Sequence, residues 1–270
     1  YYCIFAGGGV RGTAYIGVLQ FLEQIGLNIT GMAGSSVGAV FAAHYAVGYN
    51  SCEMKDIIFN INYEKFKDFY FPIGKDFGFF KGDNFYNWLK NNIEKKFYGE
   101  NHNPENNKPV TFKDIDKNLM IIATNISKTS FKEYSKTKTP DVEIAHAVRA
   151  SISIPGFFKP IWENENCLVD GDVIKNFALW ALSDNLLLEN TRIIEFRLEG
   201  SKKRPNINSP FDYFNAILDT SYNISTNILL NNYGMNDQFE IIKINTGKTG
   251  IIDFALTNTA KEKLDRKSVV

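Results

Sequence analysis

Cysteine is scarce in this sequence, with three in 270 residues at Cys3, Cys52 and Cys167. The count is odd and no two form a Cys-x-x-Cys pair, which excludes a disulfide framework and a zinc knuckle. Free, buried thiols are expected. An excess of one charge is also lacking: 30 Lys and Arg balance 30 Asp and Glu. No overall field draws in a polyanion, so no nucleic-acid partner is expected. No apolar run reaches the roughly 20 residues of a membrane span. The chain opens directly on Tyr1-Tyr2-Cys3-Ile4-Phe5-Ala6 with no basic segment ahead of it, so no signal peptide is expected. Histidine is nearly missing, with only His44, His102 and His146.

What is present is apolar and aromatic. Hydrophobic residues make up 44% of the chain and Phe, Tyr and Trp 14%, against 22% charged, a composition that suits a folded globular protein and excludes a disordered one. The length suits one large domain, residues 1–270.

Short apolar runs alternate with helical periodicity. Tyr2 to Ala6 reads as a strand, and Tyr15, Val18, Leu19, Leu22 and Ile25 form one helical stripe that Gly26 ends. Ile29 to Ala33 is a second strand, followed by a helix from Val37 to Val47 that is apolar or small on every side and is therefore expected to be buried. Further helices are expected to start at Asp83, at Thr139-Pro140-Asp141 and at Ser209-Pro210-Phe211-Asp212. Strands are expected at Leu119 to Thr124, Cys167 to Val169, Ile193 to Leu198 and Phe239 to Ile244, with Gly99 to Pro109 an exposed loop. The pattern predicts an α/β fold with a mainly parallel, buried sheet.

Three motifs carry chemistry. Gly7-Gly8-Gly9-Val10-Arg11-Gly12 lies between a strand and a helix. A dinucleotide-binding reading needs an acid at the end of the next strand, and that strand has none, so no nucleotide cofactor is expected. The same loop can present N–H groups to a transient oxyanion. Gly34-Ser35-Ser36-Val37-Gly38 places Ser36 on a sharp strand-to-helix turn, with the Val37 N–H at the helix start a natural oxyanion donor. Asn166-Cys167-Leu168-Val169-Asp170-Gly171-Asp172 is a short strand ending in an acid and a tight turn, which puts Asp170 on the rim where α/β folds bind ligands. A serine nucleophile needs a base. His44 lies two turns into the helix after Ser36, His102 in the polar loop and His146 mid-helix among apolar neighbours, so a carboxylate has to be considered in their place.

Together these segments resemble the patatin-like phospholipases, whose pattern is G-G-G-x-[RK]-G, then G-x-S-x-G about 25 residues later, then D-G-[GA]. Ala150-Ser151 followed by Pro155-Gly156-Phe157-Phe158-Lys159-Pro160 resembles the family's A-S-x-x-x-P-x-x-F-x-P block, and Gly78-Phe79-Phe80-Lys81-Gly82 and Thr111-Phe112-Lys113-Asp114 resemble other stretches of it. The resemblance covers about residues 1 to 180. It implies a three-layer α/β/α fold and a lipid acyl hydrolase without cofactor or metal. Ser36 would be the nucleophile and Asp170 its base, with Gly7 to Gly12 as oxyanion hole and Gly34, Gly38 and Gly171 as motif support. It implies a phospholipid or other fatty-acyl ester as substrate, peripheral contact with membranes, and a protein that is cytoplasmic or delivered as an effector. An acyltransferase or thioesterase using the same acyl-serine, or a catalytically weak lipid-binding or partner-binding module, remains the alternative. Asp172 departs from the pattern, standing where the family has Gly or Ala. It either approaches Asp170 and raises its pKa or caps the segment entering Ile174 to Leu182. Arg11 is expected to brace the loop or to face an anionic head group.

One aromatic stretch is unusual. Between Phe66 and Phe80 rings crowd around Pro72, Gly74 and Gly78, which break any helix, so the segment reads as a loop. Its rings either tuck into the core or serve as a lid or interfacial anchor.

Overall fold

The structure, a computed structural model, describes residues 1–173, 191–200, 239–247 and 257–267, with the single positions 207, 208, 213, 216, 217, 220 and 249. The expected helix at Ser209-Pro210-Phe211-Asp212 and the segment Ile174 to Leu182 lie outside the described residues.

Ten strands are described: β1 (Tyr2–Phe5), β2 (Gly31–Ser35), β3 (Gly78–Phe80), β4 (Asn118–Asn125), β5 (Ser130–Ser135), β6 (Gly156–Phe158), β7 (Ile161–Glu163), β8 (Asn166–Val169), β9 (Ile193–Gly200) and β10 (Phe239–Gly247). The helices described are α1 (Tyr15–Gln24), α2 (Val37–Ala46), α3 (Ser51–Phe59), α4 (Asp83–Tyr98), α5 (Ile144–Ser151) and α6 (Asn258–Lys267). The architecture is a three-layer α/β/α arrangement around a mostly parallel sheet of order β10-β9-β1-β2-β4-β8-β7, with β5 alongside β4. β10, β9, β1, β2 and β4 run parallel, whereas β5, β7 and β8 are antiparallel to their neighbours.

The alternation of side chains along the strands sorts the sheet into two apolar faces. Cys3 and Phe5 point with Met32, Leu119, Ile121 and Phe196 into the larger core, which α1, α2 and α5 cover. Tyr2, Ile4, Ala33, Met120, Ile122 and Ile193 form the opposite face. Burial on both faces explains why these strands read as continuous apolar runs. The helix α2, apolar all round, is packed against β1, β2, β4 and α5.

Three expectations need correction. β2 begins two residues later than expected, because Thr30 N–H is drawn to the Tyr1 carbonyl (2.9 Å) before the strand pairing starts. α5 begins at Ile144, not at Thr139-Pro140-Asp141. Thr111 bridges to Glu143, and the Phe112 and Ile144 amides donate to the Val142 and Val110 carbonyls, which keeps this stretch extended. Cys52 is exposed, while Cys3 and Cys167 are buried as expected. None of the described helices is long and apolar enough to cross a membrane.

α6 packs against α1 and β10 and reaches the end of α3 through Lys261. Lys261 is buried, and its ammonium donates to the Ile58, Phe59 and Ile61 carbonyls at 3.0, 3.1 and 3.2 Å, satisfying carbonyls at the helix end that have no intrahelical donor. Lys261→Met keeps the apolar stem and strands those carbonyls. It is expected to lower stability by about 2 kcal/mol, seen as a lower urea midpoint at unchanged slope.

Candidate active site

The site forms where β4 outruns β2. β2 pairs with β4 only from Gly31–Asn118 to Ser35–Ile122, and β5 occupies the other edge of β4 up to Asn125. β8 therefore pairs with the protruding end on the β2 side, Val169 opposite Thr124 and Leu168 opposite Asn125. Running antiparallel, β8 descends towards the end of β2, and Asp170 arrives beside Ser36. The acid reaches the rim as expected, although its strand runs against the parallel set.

The Ser36 hydroxyl donates to Asp170 Oδ2 at 2.7 Å, and both residues are buried. Ser36 sits at φ 50°, ψ −129°, a conformation that L side chains rarely adopt and that costs on the order of 1–3 kcal/mol. The turn survives because its surroundings hold it. Ser36 N–H donates to Ser151 Oγ (2.9 Å), whose own hydroxyl donates to the Ile122 carbonyl (2.5 Å). The flanking Gly34 and Gly38 permit the crossing: a Cβ on Gly38 would run into the Phe5 carbonyl, and one on Gly34 into the backbone of Gly38. The first turn of α2, beginning at Val37, points its positive end at the hydroxyl.

Asp170 is fixed from several directions. Its Oδ1 accepts the Asp172 N–H (2.8 Å), and its own N–H donates to the Ser153 carbonyl (2.9 Å). Gly171 packs against the Ile122 carbonyl, where any Cβ would collide.

Asp172 stays within the site. Its carboxylate accepts from Ser35 Oγ (2.5 Å) and from Gly7 N–H (3.2 Å), and it lies where a Gly7 side chain would have to be. This corrects the expectation for Gly7: its amide is taken by Asp172 and is not open to an oxyanion. After Gly8, Gly9–Ala14 forms a 3-10 turn entering α1, with Gly9 and Val10 facing the same cavity as Ser36 and Val37. Arg11 is buried and braces the loop, its Nε donating to the Gly8 carbonyl (3.2 Å). Gly12 packs on Val37, with no room for a side chain.

The histidines are occupied elsewhere. His44 is buried, its Nδ1 donating to the Val40 carbonyl (2.8 Å), and desolvation pushes its pKa down to about 4, so it is neutral. His102 bonds Asn91 and His146 bonds Glu163. Among the described residues no group of three or more His, Cys, Asp or Glu is placed to hold a metal ion.

Ser36 lines one cavity of ≈ 80 Å³ together with Val40, Phe41, Ile58, Phe66, Trp88 and Phe158. Its lining is almost wholly apolar. Such a slot accepts a hydrocarbon chain and rejects a charged group.

The sequence profile of the Patatin-like phospholipase family matches residues 4–183, which contain every residue just described around Ser36. The chain belongs to this family. A protein of Acanthamoeba polyphaga mimivirus is 31% identical over 253 residues, covering 89% of this chain and 82% of its own length. "Probable lipid hydrolase 463L" of Invertebrate iridescent virus 6 is 27% identical, covering 65% of this chain and 61% of its own. The fold is similar to the crystal structure of VipD from Legionella pneumophila, with a TM-score of 0.60 at 18% identity. That likeness covers 99% of this chain and 65% of VipD.

Within this patatin-like frame the A-S-x-x-x-P block has a physical role that motif reading did not assign. α5 supplies Ser151 to the elbow and, just beyond its end, the Ser153 carbonyl to Asp170. Arg149 on the same helix is buried, with its pKa pushed by desolvation down to about 10, so it stays charged. It donates to Ser153 Oγ (2.7 Å) and to the Gly82 (3.1 Å), Lys81 (2.5 Å) and Lys159 (3.0 Å) carbonyls. A small residue followed by serine at the end of a helix was the available signal.

Two substitutions test the packing of the elbow. Gly38→Ala is expected to lose roughly 3 kcal/mol or more, because the added methyl meets backbone, measured by chemical unfolding. Asp172→Ala frees two donors and is expected to lose about 1–3 kcal/mol, whereas Asp172→Asn keeps an acceptor oxygen and should melt close to wild type.

Proposed function

We propose that this protein is a lipid acyl hydrolase working through an acyl-serine intermediate, with Ser36 as nucleophile and Asp170 as its base. The observation that carries the reading is the direct 2.7 Å hydrogen bond from the Ser36 hydroxyl to a buried carboxylate, at the head of an apolar slot. Family membership and a relative named as a lipid hydrolase point the same way.

In the first step Ser36 Oγ attacks the ester carbonyl while Asp170 Oδ2 accepts its proton. We assign the tetrahedral oxyanion to main-chain amides of Gly8, Gly9 and Val10 on one side and of Val37 on the other, of which Gly9, Val10 and Val37 line the cavity with Ser36. Each such donor is worth ~2.7–4 kcal/mol in the transition state. Collapse expels the alcohol, protonated by Asp170, and leaves the acyl group on Ser36. Asp170 then takes a proton from water as it attacks and returns it to Ser36 Oγ as the acyl–oxygen bond breaks, so that the fatty acid leaves and the hydroxyl is restored.

Each part of the surroundings has a consequence for this chemistry. The elbow holds Oγ clear of the sheet and forward of α2, so little reorganisation is needed at the moment of attack. The Asp172 N–H on Asp170 Oδ1 orients the carboxylate with Oδ2 towards the hydroxyl. The slot takes the acyl chain and keeps bulk water from the carbonyl. The substrate class is a long-chain fatty-acyl ester, presented by phospholipid.

A fluorophosphonate probe is expected to label the wild-type protein and not Ser36→Ala. Fatty-acid release from phospholipid vesicles should fall by roughly 10³-fold or more in both Ser36→Ala and Asp170→Asn. Equal release by all three proteins would end the proposal.

A further inference from the structure

Residues 67–81 form a projecting hairpin that the acyl chemistry does not use. Phe69 bridges to Phe80 and the Tyr70 N–H donates to the Phe79 carbonyl (3.1 Å), so two arms run antiparallel with Pro72 to Phe77 at the tip. Five large apolar side chains stand open on it: Phe69 is 67% exposed, Phe71 77%, Ile73 77%, Phe77 61% and Phe79 55%. A cluster of this kind marks a surface that is covered in use. The aromatic stretch thus divides: Phe66 tucks into the cavity wall, Phe80 packs against the core, and Phe69, Phe71, Phe77 and Phe79 face outward.

The knob is firmly held. Trp162 Nε1 donates to the Lys75 carbonyl (3.3 Å), Lys159 pairs with Asp76 (2.8 Å), and the Asp68 carboxylate accepts from the Gly82 (2.8 Å) and Asn84 (3.0 Å) amides. Arg149 fastens its base, and Phe80 packs on Phe157 with ring centroids 4.6 Å apart.

Charge and position identify the occupant. Lys65, Lys67, Lys75 and Lys81 are all exposed around the knob, Lys67 pairing with Glu64 (2.8 Å), and the two aspartates of the stretch, Asp68 and Asp76, are the ones turned onto the partners just named. Lys75 also lies over the Trp162 ring (4.9 Å), an indole beside a cation of the sort found at lipid–water boundaries. The hairpin leaves the wall at Phe66 and returns through β3, which pairs with β6 and so with Phe158; Phe66 and Phe158 both line the slot that ends at Ser36. Whatever covers the hairpin is brought to the edge of that slot.

We infer that the 67–81 hairpin inserts its apolar tip into the surface of an anionic phospholipid bilayer, with the flanking lysines against the head groups. Docking there sets the slot against the membrane, so that an acyl chain passes from the bilayer to Ser36 without crossing water. The delivery step rests on the acyl-hydrolase reading; the docking step does not.

The experiment separates the two. On the Ser36→Ala background, which turns over no lipid, co-sedimentation with phosphatidylcholine vesicles containing an anionic phospholipid is expected to fall at least roughly tenfold when Phe71, Ile73 and Phe77 are all changed to Ser. Pure phosphatidylcholine vesicles should bind more weakly than the anionic ones. With Ser36 intact, the triple variant should hydrolyse a soluble, monomeric short-chain ester within about twofold of wild type while losing activity on vesicles. A single Ile73→Trp variant, which keeps the tip apolar, should show a blue-shifted emission on adding anionic vesicles. Unchanged sedimentation of the triple variant, or no shift for Ile73→Trp, overturns the inference. So does a dimer that dissociates on the triple substitution, because the hairpin would then face a second copy of the chain. Vesicle binding that depends on the hairpin, in a protein that hydrolyses neither ester, would leave docking standing and remove the hydrolase reading.

Discussion

The unequal length of two neighbouring strands underlies the whole site. β2 ends at Ser35 while β4 continues to Asn125, and the vacant edge admits the end of β8. Without that offset Asp170 could not lie 2.7 Å from Ser36, since the two are 134 positions apart in the chain. The strained backbone at Ser36 has its origin in the same geometry. The chain must turn sharply off the sheet into α2, and the local cost is offset by close packing of Gly38 on Phe5 and by the Ser151 hydroxyl.

α5 joins features that look unrelated along the chain. Ser151 supports the elbow, Ser153 supports Asp170, and Arg149 ties the latter to the base of the aromatic hairpin. Chemistry and the proposed membrane contact thus share one helix as their mount. An Arg buried among four acceptors is rigid, because moving it would leave those oxygens unpaired in a medium that cannot solvate them.

Much of this was legible in the residues. The glycine loop, the serine elbow and the acid–glycine turn are local devices, each with its own turn chemistry, and their order along the chain matched one family pattern. Burial of α2 came from its lack of any polar face. Other features were not legible. Asp172 reads as a neighbour that raises the pKa of Asp170 or as a cap for the segment after it, and its contacts with Ser35 and Gly7, 137 and 165 positions away, had no local sign. The start of α5 was misplaced because Thr139-Pro140-Asp141 has the chemistry of a cap, while pairing of Glu143 with Thr111 overrode that preference. Whether the rings of residues 66–80 lie inside or outside had no local answer, since a Phe satisfies either setting.

The sequence by itself determined which backbone turns are permitted and which side chains can do chemistry: glycine where atoms crowd, serine and aspartate at strand ends, and no usable histidine. Only the tertiary structure decided who meets whom. Ser36 facing Asp170 and the Gly7 amide claimed by Asp172 are both set by strand register and the antiparallel entry of β8. Register is a relation between distant segments, held by hydrogen bonds whose partners no local window contains.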